Sequence, residues 1–165
     1  MSGLERLPDL ELADHTGEPR RLSEIVGGDP AIVQTYRGPW CPKEQRHFRR
    51  LVELQDELEV AYCRMVSISV DPPPVAYAFR AGLGARWTFL CDPDRRAQAE
   101  LGLRESTDTE HDPYVPAVFV VRPDLSVARH YDGYWFVGRP TNDELIADLR
   151  ALSAELRPDW DAPAA

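Results

Sequence analysis

The chain has 165 residues, of which 43% are hydrophobic and 28% are charged, and its formal net charge is −9. This length suits one core, so we expect residues 1–165 to form a single domain with a loose tail over 157–165. The negative charge repels phosphate groups, which argues against nucleic-acid and anionic-membrane partners. The N-terminus lacks the apolar core of a signal peptide, and three cysteines do not make a disulfide framework. We therefore expect a cytoplasmic protein with reduced thiols.

The hydrophobic pattern predicts strands that alternate with helices. In chain order, the first elements are a β-hairpin over 10–22, a helical turn capped by Ser23, a strand over 31–36, a helix over 42–58 and a strand over 64–70. The next are a helix over 75–81, a strand over 87–91, a helix capped by Asp94, a polar loop over 104–114 and a strand over 115–121. An antiparallel return over 125–137 and a helix over 144–156, capped by Thr141 or Asn142, follow. This order is typical of an α/β domain with a central mixed sheet, flanking helices and an N-terminal hairpin.

Cys41 lies between the strand over 31–36 and the helix that starts at Pro42. Proline suits the first helical position because its missing N–H costs nothing there. Cys41 would therefore occupy the N-cap, where the unpaired amides and the helix dipole favour a thiolate. Ligands of such sheets bind beyond the carboxyl ends of the parallel strands. We therefore interpret Cys41 as a nucleophile rather than as a buried structural thiol.

Three short motifs of the chain have counterparts in other proteins. Trp40-Cys41-Pro42 resembles the Trp-Cys-x-x-Cys start of thioredoxins, and Cys41-Pro42-Lys43-Glu44 is similar to a Cys-Pro-Thr-Glu stretch of peroxiredoxins. The segment over 115–118 resembles the strand start at which thioredoxins carry a cis-proline. Over residues 10–156, the chain thus resembles the thioredoxin-like fold and the peroxiredoxin-like redoxins (alkyl hydroperoxide reductase/thiol-specific antioxidant). The resemblance implies thiol redox chemistry, with Pro116 shaping the substrate groove.

The chain departs from those motifs at three positions. Glu44 stands where a second thioredoxin-type cysteine would be, so no disulfide can close within the motif. Gly38 replaces the threonine that peroxiredoxins place three residues before their cysteine. Pro116 lies in the region from which those enzymes bring an arginine, so we expect that arginine to be absent. The cysteine would therefore act alone and depend on an external thiol.

Charged residues near the cysteine are candidates to assist it. A thiolate that reduces a peroxide benefits from a cation that aligns the O–O bond and stabilises the leaving oxygen. Arg37 is the first candidate and Arg139 the second, and the alternative for each is a surface residue or a partner for the many acids. Glu44 either completes a capping box at the helix start or relays protons and orients an arginine, as the resemblance implies.

Three further residues have two interpretations each. Trp40 either forms a wall of the substrate groove or anchors the loop to the core. Cys63 and Cys91 are candidate resolving thiols, but both border strands, so buried structural thiols are the preferred interpretation.

Two clusters carry weaker functional interpretations. A possible docking surface, with ordinary packing as the alternative, consists of Tyr131, Tyr134, Trp135 and Phe136. A metal site is not expected from the loop residues Asp108, Glu110, His111 and Asp112, because their spacing lacks the arrangement of a zinc site. No glycine-rich phosphate-binding motif occurs in the sequence, so we also expect no cofactor.

The sequence thus predicts a thiol-dependent oxidoreductase. Cys41 would reduce a small peroxide, and an external thiol would then regenerate it. Two alternatives stay open: thiol–disulfide exchange with a protein or a small thiol, and a non-catalytic module that binds a partner through the aromatic strand. We expect no nucleic-acid or membrane partner, and a homodimer is compatible with the sequence.

Overall fold

The computed structural model describes residues 3–133 and 138–159. Within these residues the strands are β1 (Glu11–Asp14), β2 (Pro19–Arg21), β3 (Ala31–Thr35), β4 (Arg64–Ser69), β5 (Thr88–Cys91), β6 (Ala117–Val121) and β7 (Val127–Asp132). The helices are α1 (Leu22–Val26), α2 (Pro42–Val60), α3 (Pro73–Leu83), α4 (Arg96–Leu101) and α5 (Asn142–Leu156). Each predicted element thus has a counterpart. Three residues of the predicted docking surface, Tyr134, Trp135 and Phe136, lie outside the described residues, as does most of the predicted tail.

The strands form one mixed sheet in the order β2-β1-β5-β4-β3-β6-β7. Strands β3, β4 and β5 are parallel, with Ala31 beside Arg64 and Val66 beside Thr88. The hairpin of β1 and β2 pairs antiparallel with β5, and β6 and β7 extend the sheet antiparallel from β3. The sheet confirms the predicted α/β class, the mixed strand directions and the N-terminal hairpin.

Helices cover both faces of this sheet, and each face has its own hydrophobic cluster. Val33 packs in one cluster and Ile32 in the other, because successive side chains of a strand point to opposite faces. Helices α1 and α4 supply the first cluster, and α2, α3 and α5 supply the second. All five residues of β3 are buried, so the strand that leads to Cys41 is held from both sides.

Two predicted helix caps are wrong. Ser23 lies inside α1, and its hydroxyl donates a hydrogen bond of 2.7 Å to Asp9 from the preceding segment. Asp94 does not cap α4, because the carboxylate of Asp92 accepts the free amide of Gln98 at 2.8 Å instead. Ser23 is thus bound by a residue 14 positions away, whereas the free amide of Gln98 is satisfied by an acid two positions before the predicted cap.

Two other helix starts are settled by local chemistry. Helix α3 begins at Pro73, two residues before the predicted start, because prolines are tolerated in a first helical turn. Thr141, one of the two predicted caps, caps α5 in a capping box with Glu144, with both amide-to-side-chain distances at 3.2 Å. Among the described residues, no helix combines the length and apolar character needed to cross a bilayer.

Candidate active site

Cys41 occupies the N-cap of α2, with Pro42 in the first helical position, as predicted. Its own N–H donates to the carbonyl of Gly38 at 3.2 Å, and only 3% of the residue is exposed. The expected hydrogen bonds from helix amides to the sulfur are absent within the described part of the chain. The donor near the sulfur is instead Nη1 of Arg37, 4.0 Å from Sγ. A guanidinium therefore takes the place that we assigned to the helix amides.

Arg37 is fixed from several sides. Its Nη2 donates to the carboxylate of Asp108 at 2.8 Å and lies 3.9 Å from that of Glu105. Its guanidinium also lies over the indole of Trp40, with Cζ 4.9 Å from the ring centroid. The side chain is 15% exposed, so Arg37 is not a surface residue, while its ion pairs with Asp108 and Glu105 agree with the alternative of a partner for the acids. Asp108 thus holds the guanidinium beside the cysteine.

Glu44 is completely buried one turn into α2. One carboxylate oxygen accepts the backbone N–H of Arg37 at 2.9 Å, and the other accepts Nε of Arg139 at 2.5 Å. The capping-box alternative is therefore wrong, because the carboxylate faces the arginines and not the amide of Cys41. Burial raises the pKa of Glu44 above its ordinary value, while Arg139 and the Arg37 amide act in the opposite direction.

Arg139 reaches the site from the segment between β7 and α5. Its side chain is 9% exposed, and its Nε and Nη2 both contact one carboxylate oxygen of Glu44. Arg139, the second candidate cation, thus lies at the site. It contacts the carboxylate of Glu44.

Trp40 is 41% exposed and stacks on the ring of His111, with 3.8 Å between ring centroids. It thus anchors its loop to the polar loop over 104–114 and not to the core. Gly38 explains part of this arrangement, since a Cβ at that position would lie 2.3 Å from Nε1 of Trp40. The glycine that replaces the expected threonine therefore leaves room for the indole.

Pro116 lies directly before β6, beside the end of β3. The sequence left the isomer of the peptide bond before Pro116 open, and none of the described peptide bonds is cis. Thr35 holds the segment: its hydroxyl donates to the carbonyl of Val115 at 2.7 Å and accepts the amide of Ala117 at 3.0 Å. The carbonyl of Pro116 accepts the amide of Gly133 at 2.5 Å. A role of Pro116 in substrate binding stays a prediction.

Cys63 and Cys91 are buried free thiols. Cys63 directly precedes β4, which runs parallel to β3, so it lies at the opposite edge of the sheet from Cys41. Burial, and then the charge of Asp29, raises the pKa of Cys63. Burial, followed by Asp71 and Asp14, raises the pKa of Cys91 to about 12. These surroundings support the interpretation of both as structural thiols.

A buried histidine on α2 was assigned no role from the sequence. Nδ1 of His47 lies 3.2 Å from the side-chain nitrogen of Gln34. The side-chain oxygen of Gln34 accepts a hydrogen bond from the hydroxyl of Ser67. The amide of Gln34 therefore donates to Nδ1, which requires a neutral imidazole. Burial, and then the charges of Arg50 and Arg139, lowers the pKa of His47 to about 3.

Sequence reasoning missed two residues that the structure brings to the site, Asp108 and His111. Both were considered only as metal ligands, and the described residues hold no group of three or more side chains that could bind a metal ion. The available signal was the concentration of acids in the loop directly before the strand that carries Pro116. Charge alone did not reveal that Asp108 binds Arg37.

Known proteins resemble this chain in sequence and in fold. Residues 4–130 match the sequence model of the AhpC/TSA family. A Mycobacterium tuberculosis protein (strain H37Rv) named as a peroxiredoxin is 28% identical over 151 residues, covering 90% of this chain and 96% of that protein. The solved peroxidoxin BcpB of Mycobacterium tuberculosis has a TM-score of 0.76 and 24% identity, covering 89% of this chain and 95% of its own. The Enterococcus faecalis AhpC structure has a TM-score of 0.76 and 23% identity, covering 96% and 97%.

The two structural likenesses confirm the predicted thioredoxin-like fold. The family match confirms the predicted class of enzyme, a thiol-dependent oxidoreductase with a peroxide as substrate and a thiol as reductant. Because the match covers well over half of the chain, this protein belongs to the AhpC/TSA family.

Proposed function

We propose that Cys41 is the nucleophile with which this protein reduces a hydroperoxide. The observation that carries the proposal is the guanidinium of Arg37, whose Nη1 lies 4.0 Å from Sγ of Cys41. A positive charge at this distance favours the thiolate and stabilises the negative charge that develops on the leaving oxygen. The N-cap position of Cys41 adds the positive end of the α2 dipole.

In this reaction the thiolate of Cys41 attacks one peroxide oxygen, so an S–O bond forms while the O–O bond breaks. The other oxygen leaves as hydroxide or alkoxide and takes a proton from water, and Cys41 becomes a sulfenic acid. An external thiol then attacks the sulfenic sulfur and displaces water, which gives a mixed disulfide. A second external thiol releases the Cys41 thiol and leaves as the external disulfide.

The burial of Cys41 supports small peroxides as substrates. With 3% of the residue exposed, hydrogen peroxide and short alkyl hydroperoxides reach the sulfur more easily than bulky ones. The half-exposed Trp40 stands at the surface next to the cysteine and is our candidate for the wall of the approach. Pro116 stays the second candidate substrate-binding residue.

Glu44 and Arg139 have supporting roles in this proposal. Glu44 accepts the backbone N–H of Arg37 at 2.9 Å, so it fixes the start of the side chain that faces the sulfur. Arg139 balances the buried charge of Glu44, which would otherwise oppose a thiolate nearby. The three charged residues thus leave one cation, Arg37, directed at Cys41.

The test is the consumption of hydrogen peroxide in the presence of dithiothreitol. We expect Cys41→Ser to abolish the enzymatic rate, and the double variant Cys63→Ser/Cys91→Ser to retain it within about twofold. Activity that survives in Cys41→Ser but is lost in the double variant would overturn the assignment. Insulin reduction by the same variants tests thiol–disulfide exchange, and we expect none because Glu44 replaces the second cysteine.

A cytoplasmic location and a homodimer stay predictions. The free state of all three cysteines supports a reducing compartment. Fractionation of cells tests the location, and sedimentation equilibrium tests the homodimer.

A further inference from the structure

The polar loop over 104–114 reaches the candidate active site through two side chains. Asp108 binds the guanidinium of Arg37, and His111 stacks on Trp40, the residue directly before the cysteine. Each contact joins a residue of the polar loop to a residue of the loop that carries Cys41, about seventy positions earlier in the chain. The loop therefore contacts the two side chains that flank the reactive sulfur.

The carboxylate of Asp108 is held in place by neighbouring residues of its own loop. Its Oδ1 accepts the backbone amides of Glu110 at 3.2 Å and of His111 at 3.1 Å. Its Oδ2 lies 3.0 Å from Nδ1 of His111 and accepts Nη2 of Arg37 at 2.8 Å. The amide of His111, followed by the His111 side chain, lowers the pKa of Asp108, so the group is a carboxylate at neutral pH. The contacts of Asp108 with Glu110 and His111 thus hold the carboxylate in place without the help of Arg37.

The guanidinium of Arg37 is planar, so a bond to one nitrogen restricts where the other nitrogens point. With Nη2 bound to Asp108 at 2.8 Å, Nη1 faces Sγ of Cys41 at 4.0 Å. Glu105 lies farther from the same nitrogen, at 3.9 Å, and its side chain has no comparable bond to Arg37. Asp108 is thus the acid whose geometry determines the orientation of the guanidinium.

We propose that Asp108 is a positioning residue for peroxide reduction: it holds Arg37 in the orientation that serves the thiolate of Cys41. This inference rests on the proposed role of Cys41. The inference predicts a change in rate opposite to the one expected from charge alone. Removal of a nearby negative charge would by itself favour the thiolate and speed the reaction. If Asp108 positions Arg37, its neutralisation slows the reaction instead.

The experiment compares Asp108→Asn with Glu105→Gln in the Cys63→Ser/Cys91→Ser background. Asn retains the Oδ1 acceptor for the loop amides, so the loop fold is preserved, but it places an NH2 donor against Arg37 in place of the acceptor. The readout is the second-order rate constant for oxidation of Cys41 by hydrogen peroxide. We expect it to fall roughly tenfold in Asp108→Asn, as for the loss of a charge-assisted hydrogen bond, and to change less than about twofold in Glu105→Gln. Asp108→Ser, whose hydroxyl can accept the same amides, is a second route to the same result.

Two further measurements separate positioning from a structural role. In a double-mutant cycle with Arg37→Ala, we expect Asp108→Asn to have no additional effect, because it acts only through the guanidinium. NMR of the Arg37 guanidinium should show slow rotation about its C–N bonds in the parent and in Glu105→Gln, and fast rotation in Asp108→Asn. Equal rates in the two single variants, or a full effect of Asp108→Asn without Arg37, would overturn the inference. Failure of the parent to oxidise at Cys41 would overturn the proposed function instead.

Discussion

At the scale of single residues, the site depends on how closely neighbouring side chains approach. Gly38 has a φ of +153° and sits under the indole of Trp40, so the loop before Cys41 has no room for a larger residue. Glu44 and Arg139 form a buried pair with 0% and 9% of their side chains exposed. Each feature predicts how much a particular substitution lowers the free energy of unfolding.

Gly38→Ala should destabilise the protein and displace Trp40 from His111. The new Cβ would lie 2.3 Å from Nε1 of Trp40 in a backbone region that favours glycine. We expect a loss of about 1–3 kcal/mol in the free energy of unfolding, measured by chemical denaturation. Gly82→Ala is the control, because its Cβ meets nothing within 4 Å inside α3, and it should gain roughly 0.5–1 kcal/mol. Equal effects of the two changes would contradict the steric account.

Arg139→Met should leave the buried carboxylate of Glu44 without its guanidinium partner. We expect the free energy of unfolding to fall by about 3–5 kcal/mol, since one member of a buried ion pair remains. Arg122→Met is the matched control, because its partner Glu155 is 54% exposed, and it should cost less than about 1 kcal/mol. Denaturation curves of the two variants compare them directly, and similar midpoints would refute the burial argument.

At the scale of elements, helix α2 begins directly after Cys41 and carries buried polar residues, among them Glu44 and His47. Its apolar positions were predicted from their spacing, because helical periodicity is a local property of the sequence. The burial of Glu44 and His47 on the same helix was not predicted, because it depends on partners from other elements. The helix caps are local as well: Thr141 forms the predicted capping box of α5, and Asp92 serves α4 from six residues before Gln98.

His47 should make the stability of the protein depend on pH. Burial lowers its pKa from 6.5 to about 3, so between these values the unfolded chain binds a proton that the folded chain does not. The free energy of unfolding should therefore fall as the pH falls through this window, by at most about 1.4 kcal/mol per pH unit from this group.

The variant His47→Asn isolates this contribution. Its side-chain oxygen can accept the amide of Gln34 in place of Nδ1, and it does not titrate. Urea denaturation of both proteins from pH 7 to pH 4 measures the difference. We expect the variant to lose less stability than the parent over this range, and parallel pH profiles would show that His47 does not titrate as described.

At the scale of the whole molecule, the sheet order decides which distant segments meet Cys41. The sequence indicated Cys41, Arg37 and Glu44 as neighbours, because they lie within one strand-to-helix connection. It could not indicate that Asp108 binds Arg37 across 71 residues, or that Arg139 binds Glu44 across 95. Those contacts exist because β6 pairs antiparallel with β3 and β7 pairs antiparallel with β6. The loop before β6 and the segment after β7 therefore both lie at the end of β3.

The same topology places Cys63 far from Cys41, whereas Cys91 lies at the same end of the parallel strands as Cys41. Cys63 lies at the start of β4, at the edge of the sheet away from Cys41, and Cys91 is buried at the end of β5. We expect the thiol chemistry of the molecule to be concentrated on Cys41, because burial raises the pKa of both Cys63 and Cys91. The most direct test is to map the first oxidation product.

The measurement is treatment of the native protein with one equivalent of hydrogen peroxide in the presence of dimedone, followed by peptide mass spectrometry. We predict a dimedone adduct on Cys41, formed from its sulfenic acid, and none on Cys63 or Cys91. An adduct on either of the other cysteines, or peroxide consumption with Cys41 unmodified, would contradict the assignment of Cys41 as the nucleophile.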